Sequence, residues 1–234
     1  MKDINFPQRN LTVHFVDPTS SFEPGINIIR QQFRQAITRI LKLYNMRELA
    51  CVVFSAHPSE TIPTIGIGAF ASDTHIIFIY IDPSFARFPK SLKNELVSTI
   101  AHETAHVIRM RSGQIVKNLF DAFVNEGLAD HFAVEICGPK TKLWHKGYYS
   151  KLDIPYQLAQ KESKNQITDS SYEKWFTVGD LKHNIPWTTG YALGNQIVSE
   201  YLKDNPGVSP SHLLGKNSND FLSSFNKILT FKNK

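Results

Sequence analysis

The sequence is poor in the features that mark disulfide-stabilised and membrane proteins. It contains only two cysteines, Cys51 and Cys137, and their spacing is not that of a metal-binding pair. Both lie in apolar surroundings, so we expect two buried free thiols, as is typical of a reduced, cytoplasmic protein. No apolar run approaches the roughly 20 residues that span a bilayer, and the polar segment 1–10 lacks the pattern of a signal peptide. We therefore expect a cytoplasmic protein with no membrane partner.

A strong charge bias is also missing. The chain has 26 Lys and Arg against 21 Asp and Glu, which gives a net charge of +5 at pH 7. A positive charge permits attraction to nucleic acids, but the basic residues are scattered and form no long run. We therefore do not expect a nucleic acid as the main partner. Hydrophobic residues make up 41% of the 234 residues, enough for a folded core in one large domain or two small ones.

One short stretch, His102-Glu103-Thr104-Ala105-His106, carries residue types that suit a metal site. On a helix, residues four apart lie about 40° apart around the axis, so both imidazoles leave the same face one turn apart. There they can hold one metal ion, and neutral imidazole is a good ligand for zinc. Glu103 lies beside the pair, where a carboxylate can act as a base toward a water on the metal.

The sequence around this motif predicts that it lies on a helix. The fixed letters arise by chance in roughly one or two such chains per hundred, so the context has to decide. Segment 91–111 contains no Gly or Pro, and Ser91 is a suitable N-cap after Pro89. Its apolar residues form two stripes, and the two histidines fall on neither. A mostly buried helix with two aligned histidines needs a partner for them.

A second motif, Asn125-Glu126-Gly127-Leu128-Ala129-Asp130, provides acidic residues for that role, and Glu126 follows His106 by 20 residues. The combination of HETAH and NEGLAD resembles the gluzincin metallopeptidases, the thermolysin-like clan. The residues of the NEGLAD motif, together with Gly-Tyr-Ala-Leu-Gly at 190–194, resemble those of an uncharacterised family of predicted Zn-dependent proteases.

This resemblance implies roles for residues of the second motif. Glu126 would be the third zinc ligand, so one Zn²⁺ is the expected cofactor and a peptide or protein the expected substrate. Asp130, one turn later, would accept a hydrogen bond from a ligand histidine, and Asn125 is expected beside it. The alternative is that Glu126 and Asp130 are an exposed acidic pair without a ligand role.

Hydrophobic periodicity predicts an α+β fold, and the resemblance implies a zincin-like one. Runs in which apolar and polar residues alternate, and runs that are apolar throughout, predict four strands. These strands are 11–16, 49–55, 65–71 and 74–82. The third and fourth of these are expected to form a hairpin through Ser72-Asp73. The period of 3.6 residues predicts longer helices at 26–44, 91–111, 116–137, 188–204 and 219–229, with short helical patches at 155–164 and 172–175.

We divide the chain into an N-terminal α/β part, 1–114, which ends in the HETAH helix, and a C-terminal helical part, 115–234, which carries Glu126. Together they would form one compact catalytic domain. Gly66 and Gly68 leave the strand 65–71 with little side-chain bulk. Either this is an edge strand suited to an extended peptide, as in the resembled clan, or the glycines mark a bulge or close packing.

The predicted function is peptide-bond hydrolysis, with Glu103 as the general base. A further donor is needed for the developing oxyanion, and the clan resemblance implies a downstream Tyr or His. Tyr191 is our candidate, because it lies at a predicted helix start between two glycines, and His183 is the alternative. His145, like His183, lies in a variable region of the chain from which it could reach the substrate cleft. Two rival functions are an idle zinc-binding scaffold of the same fold and a basic protein associated with nucleic acid.

Overall fold

The structure is a computed structural model, and it describes residues 3–6, 9–138, 155–183 and 185–232. The described residues form a five-stranded mixed sheet and eight α-helices, which confirms the predicted α+β class. The strands are β1 (Ile4–Phe6), β2 (Leu11–Val16), β3 (Leu49–Ser55), β4 (Ile67–Ala71) and β5 (Ile76–Ile81). The helices are α1 (Ile26–Leu43), α2 (Phe88–Arg111), α3 (Leu119–Cys137), α4 (Tyr156–Glu162), α5 (Asp169–Tyr172), α6 (Thr189–Asp204), α7 (Pro210–Leu213) and α8 (Leu222–Lys232).

Contacts within the chain divide it into two compact units. The first is Met1–Arg111 with Phe132–Trp144, and the second is Ser112–His131 with His145–Lys234. The sheet, α1 and α2 belong to the first unit, whereas α4 to α8 belong to the second. The functional division after residue 114 stays a prediction.

The sheet of the first unit has the strand order β1-β2-β3-β5-β4. The three central strands β2, β3 and β5 are parallel, and β1 and β4 are antiparallel edges. Helix α1 makes the crossover between the parallel strands β2 and β3, a connection that a tight turn has no length to make. The buried positions of β3 and β5 alternate, which places one face of the sheet in the core: Cys51, Val53, Ile77, Ile79 and Ile81.

Strand β4 is an edge strand, as predicted, and forms the predicted hairpin with β5. Gly66 and Gly68, just before and at its start, pack closely against the chain, whereas binding of an extended peptide along this edge stays a prediction. A Cβ on Gly68 would lie 2.5 Å from the carbonyl oxygen of Glu60, and Gly66 has a φ of +65° with Phe85 against it. Residue Ile62 also forms a β-bridge with Ile67. The first part of this edge is therefore covered by the chain itself.

Helix α2 carries the HETAH motif, but it begins at Phe88, earlier than predicted, so the assignment of Ser91 as N-cap is wrong. Pro89 lies in the first turn, where its missing N–H costs no intrahelical bond. Ser91 is already helical, since its N–H donates to the carbonyl of Arg87, and its hydroxyl donates to the carbonyl of Ile65. The predicted apolar stripes of α2 are buried except at Met110, and α2 packs against α1 and on β4 and β5.

Helix α3 begins at Leu119, three residues later than predicted, because Asn118 caps it. The side-chain oxygen of Asn118 accepts a hydrogen bond from the N–H of Asp121 at 2.9 Å. The carboxylate of Asp121 accepts from the N–H groups of Lys117 and Asn118 in return. This reciprocal cap provides acceptors for N–H groups at the helix start that have no intrahelical partner.

Helix α5 continues directly into a π-helical turn, Glu173–Thr177, where a short helical patch was predicted. Its N-terminus is fixed by a capping box between Thr168 and Ser171. The π-helical turn is held by Glu162, whose carboxylate accepts hydrogen bonds from Lys174 Nζ at 2.6 Å and from Trp175 Nε1 at 2.9 Å. The segment is thus anchored at both ends within the second unit.

Neither Cys51 nor Cys137 is in a disulfide, as predicted, but only Cys51 is fully buried. Burial raises the pKa of the Cys51 thiol to about 12, whereas Cys137 is only half-buried. Among the residues that the structure describes, no helix is both long enough and apolar enough to cross a membrane.

Candidate metal centre

Helix α2 holds the two motif histidines one turn apart on one face, as the spacing predicts. The Nε2 atoms of His102 and His106 lie 3.1 Å apart, and their rings are nearly perpendicular, at 81°. Zn–N bonds of about 2.0–2.1 Å in a tetrahedron place two ligand nitrogens about 3.3 Å apart. The observed separation is close to that value, so this pair suits a single metal ion.

Glu126 on α3 completes a group of potential ligands. One ligand atom each of His102, His106 and Glu126 lie within 4.8 Å of one another, and this group could hold a metal ion. Two imidazoles and one carboxylate are a donor set that zinc accepts, and three protein ligands leave a fourth position for water or substrate. The residues present therefore fit a zinc ion.

The acidic residues around this group are buried, which argues against the alternative of an exposed acidic pair. Glu126 is 5% exposed and Asp130 is fully buried. Glu103, next to the candidate ligand His102, is 7% exposed. Burying a carboxylate is costly unless it is paired or binds a metal. Their burial shows that none of the three is a solvated surface acid, and a metal ion is one partner that Glu126 could have.

Glycines in the second unit explain part of the sequence around Glu126. A Cβ on Gly127 would lie 2.2 Å from the carbonyl oxygen of Gly194, and a Cβ on Gly194 would lie 2.1 Å from that of Phe123. Helices α3 and α6 therefore cross with their backbones in contact at these two glycines. The crossing fixes the part of α3 that carries Asn125 and Glu126 against the start of α6.

Tyr191 and His183, the two candidate oxyanion donors, both belong to the second unit. Tyr191 lies in the first turn of α6, half-buried, and its ring meets that of Phe176 edge-on at 5.3 Å. His183 lies in a short 3-10 turn, largely exposed, with its Nδ1 2.6 Å from a carboxylate oxygen of Asp180. That hydrogen bond holds the pKa of Asp180 below its usual value. The catalytic roles of both residues stay predictions.

The other described histidines form hydrogen bonds with residues outside the candidate ligand group. Their hydrogen-bond partners are Asp3 for His14, Ser59 for His57, Thr74 for His75, Asn195 for His131 and Ser209 for His212. His145 lies outside the described residues.

One residue near the candidate ligands was missed by sequence reasoning. The hydroxyl of Tyr172 faces Oε1 of Glu126 over 3.5 Å, longer than the usual range of about 2.5–3.0 Å for O–H···O hydrogen bonds. Tyr172 is 46 positions from Glu126 in sequence, and no local pattern links the two. The capping box before Tyr172 was a signal for the helix that carries it, but not for the contact.

The HETAH helix of this α+β fold and the downstream glutamate thus form a potential metal site. A family described as "Predicted Zn-dependent protease (DUF2268)" matches residues 29–223, and the chain belongs to this family. This match confirms the resemblance to the family of predicted Zn-dependent proteases, whereas the gluzincin type and the ligand roles stay proposals. A search of the curated proteins gives no match to the chain.

Proposed function

We propose that this chain is a gluzincin-type zinc metallopeptidase that hydrolyses peptide bonds with one zinc ion. The observation that carries the proposal is the grouping of His102, His106 and Glu126 within 4.8 Å, with buried Glu103 next to the first ligand. Three protein ligands are typical of catalytic zinc sites, whereas structural sites have four. A structural site also has no use for a base at position 103.

The reaction then follows from the chemistry of these residues. Zinc bound there would polarise the scissile carbonyl and lower the pKa of a water molecule beside it. Glu103 accepts a proton from this water as the water oxygen attacks the carbonyl carbon. When the C–N bond breaks, Glu103 delivers that proton to the leaving amine and returns to its carboxylate form. One water is thereby added across one peptide bond.

Other residues support this step. We assign to Tyr191 the hydrogen bond that stabilises the developing oxyanion, with His183 as the alternative donor. Asp130 and Asn125 would hold the ligands in position, Asp130 by accepting a hydrogen bond from a ligand histidine. The burial of Asp130 supports this role, because a buried carboxylate requires a partner. The substrate would be a peptide or protein, as membership of a protease family implies.

The test is cleavage of a diverse peptide library by the zinc-loaded chain and by Glu103→Gln. The variant should keep its zinc and its fold but lose several orders of magnitude in turnover, because only the proton acceptor is removed. Glu95→Gln, on the same helix α2, is the matched control and should leave turnover unchanged. Undiminished cleavage by Glu103→Gln would remove Glu103 from the mechanism.

The cleavage assay, together with a measurement of nucleic-acid affinity, separates the rival functions. A wild-type chain that binds zinc tightly but cleaves no peptide would be an idle zinc-binding protein of the same fold. A chain whose main affinity is for DNA or RNA, and falls steeply with salt, would support the association with nucleic acid.

A further inference from the structure

An aromatic stack in the second unit reaches from α6 to the carboxylate of Glu126. Phe176, in the π-helical turn after α5, lies between two tyrosine rings. The ring of Tyr172 stacks on it at 4.7 Å and 21°, and the ring of Tyr191 meets it edge-on at 5.3 Å and 86°. Gly190 makes room for this stack, since a Cβ there would lie 2.4 Å from Cε1 of Phe176.

Helix α3 itself holds the stack in place. Phe123, one turn before Glu126, packs against Phe176 with ring centroids 5.8 Å apart. Phe123 is fully buried and Phe176 is 1% exposed, so neither ring has room to move freely. The chain of contacts therefore runs from Phe123 through Phe176 to Tyr172, and returns to α3 where the Tyr172 hydroxyl lies 3.5 Å from Oε1 of Glu126.

We propose that Tyr172 is a positioning residue for the metal ligand Glu126, an inference that rests on the proposed function. Its hydroxyl donates a hydrogen bond to one carboxylate oxygen and leaves the other oxygen for the metal. A ligand held in this way loses less side-chain freedom on binding, and such partners of ligands typically contribute 10–100-fold in metal affinity. Phe176 fixes the phenol ring so that the hydroxyl stays on the carboxylate.

The surroundings of Tyr172 suit a positioning role. Tyr172 is the last residue of α5, directly before the π-helical turn that is anchored to α4 through Glu162. A π-helical turn widens the helix by one residue and is frequent at functional sites. If Tyr172 served only to pack against Phe176, its ring would suffice and its hydroxyl would have no effect on the metal.

Tyr172→Phe separates these two roles, because it keeps the ring and removes only the hydroxyl. We expect zinc affinity, measured by competition with a chelator, to fall about 10-fold or more. The visible absorption of the Co²⁺-substituted protein should also shift, because it reports the geometry of the ligands. The melting temperature of the metal-free protein should stay unchanged. Tyr156→Phe is the matched control, since its hydroxyl donates to Gln196 at 2.8 Å instead.

A second comparison asks whether Tyr172 acts through Glu126. In a Glu126→Ala background, Tyr172→Phe should cause no further loss of the residual zinc affinity. An equal loss in both backgrounds, or a zinc affinity of Tyr172→Phe equal to that of the wild type, would overturn the inference while leaving the proposed function intact. A wild-type chain that binds no zinc would instead overturn the proposed function and this inference with it.

Discussion

Gly127 and Gly194 bring the backbones of α3 and α6 into direct contact. A Cβ on Gly127 would lie only 2.2 Å from the carbonyl oxygen of Gly194. Gly127 directly follows the candidate ligand Glu126, and Gly194 lies one turn after Tyr191. Both sequence motifs of the second unit, NEGLAD and Gly-Tyr-Ala-Leu-Gly, therefore contain a glycine that is needed for the same helix crossing.

Gly127→Ala should lower the melting temperature markedly. The added methyl group would meet backbone, which has to shift, and overpacking of this kind typically costs about 1–3 kcal/mol, occasionally more. The higher helix propensity of Ala returns about 1 kcal/mol at most. Gly215→Ala is the control, because the nearest atom to its Cβ, in Ser112, is at an ordinary 3.6 Å. Equal melting temperatures of the two variants would show that the close contact of α3 and α6 does not contribute to stability.

Asp130→Ala should weaken zinc binding by roughly 10–100-fold while the three ligands remain in place. The expected cause is the loss of the acceptor that orients a ligand histidine. Asp130→Asn keeps the size of the side chain and removes its charge, so it separates loss of orientation from loss of packing. Zinc dissociation constants by competition titration are the measurement. A dissociation constant equal to that of the wild type would leave Asp130 without a role at the metal.

Tyr191→Phe should lower kcat by about 10²–10³-fold with little change in zinc content or melting temperature. The ring that meets Phe176 is kept, and only the hydroxyl that would stabilise the oxyanion is removed. Steady-state kinetics on a cleaved peptide measures the effect. Near-normal turnover would show that Tyr191 only packs, and would pass the role to His183, to be tested next as His183→Ala.

The sequence carries enough local information to predict most of the elements and the candidate ligands. Strands β2 and β3 and helix α1 lie where alternation and the helical period predict them. The group of His102, His106 and Glu126 follows from helical spacing together with the family resemblance. These features depend on residues close in sequence, or on motifs short enough to recognise.

Other features depend on contacts that a single sequence does not reveal. Strand β1 is only three residues long and is stabilised by pairing with β2. The close approach of Gly68 to Glu60 and the contact of Tyr172 with Glu126 are made by side chains and backbones that the fold brings together. The early start of α2 reflects the tolerance of a helix for Pro89 in its first turn.

The zinc content of Glu126→Ala tests the central claim most directly. The purified wild-type chain should contain one zinc ion per molecule, and Glu126→Ala should lose most of it, because two imidazoles alone bind zinc weakly. Glu135→Ala is the matched control, an acidic residue on the same helix α3 outside the ligand group, and it should keep its zinc. Elemental analysis after extensive dialysis gives the stoichiometry. One tightly held zinc ion in Glu126→Ala would show that Glu126 is not a ligand and would contradict the gluzincin assignment.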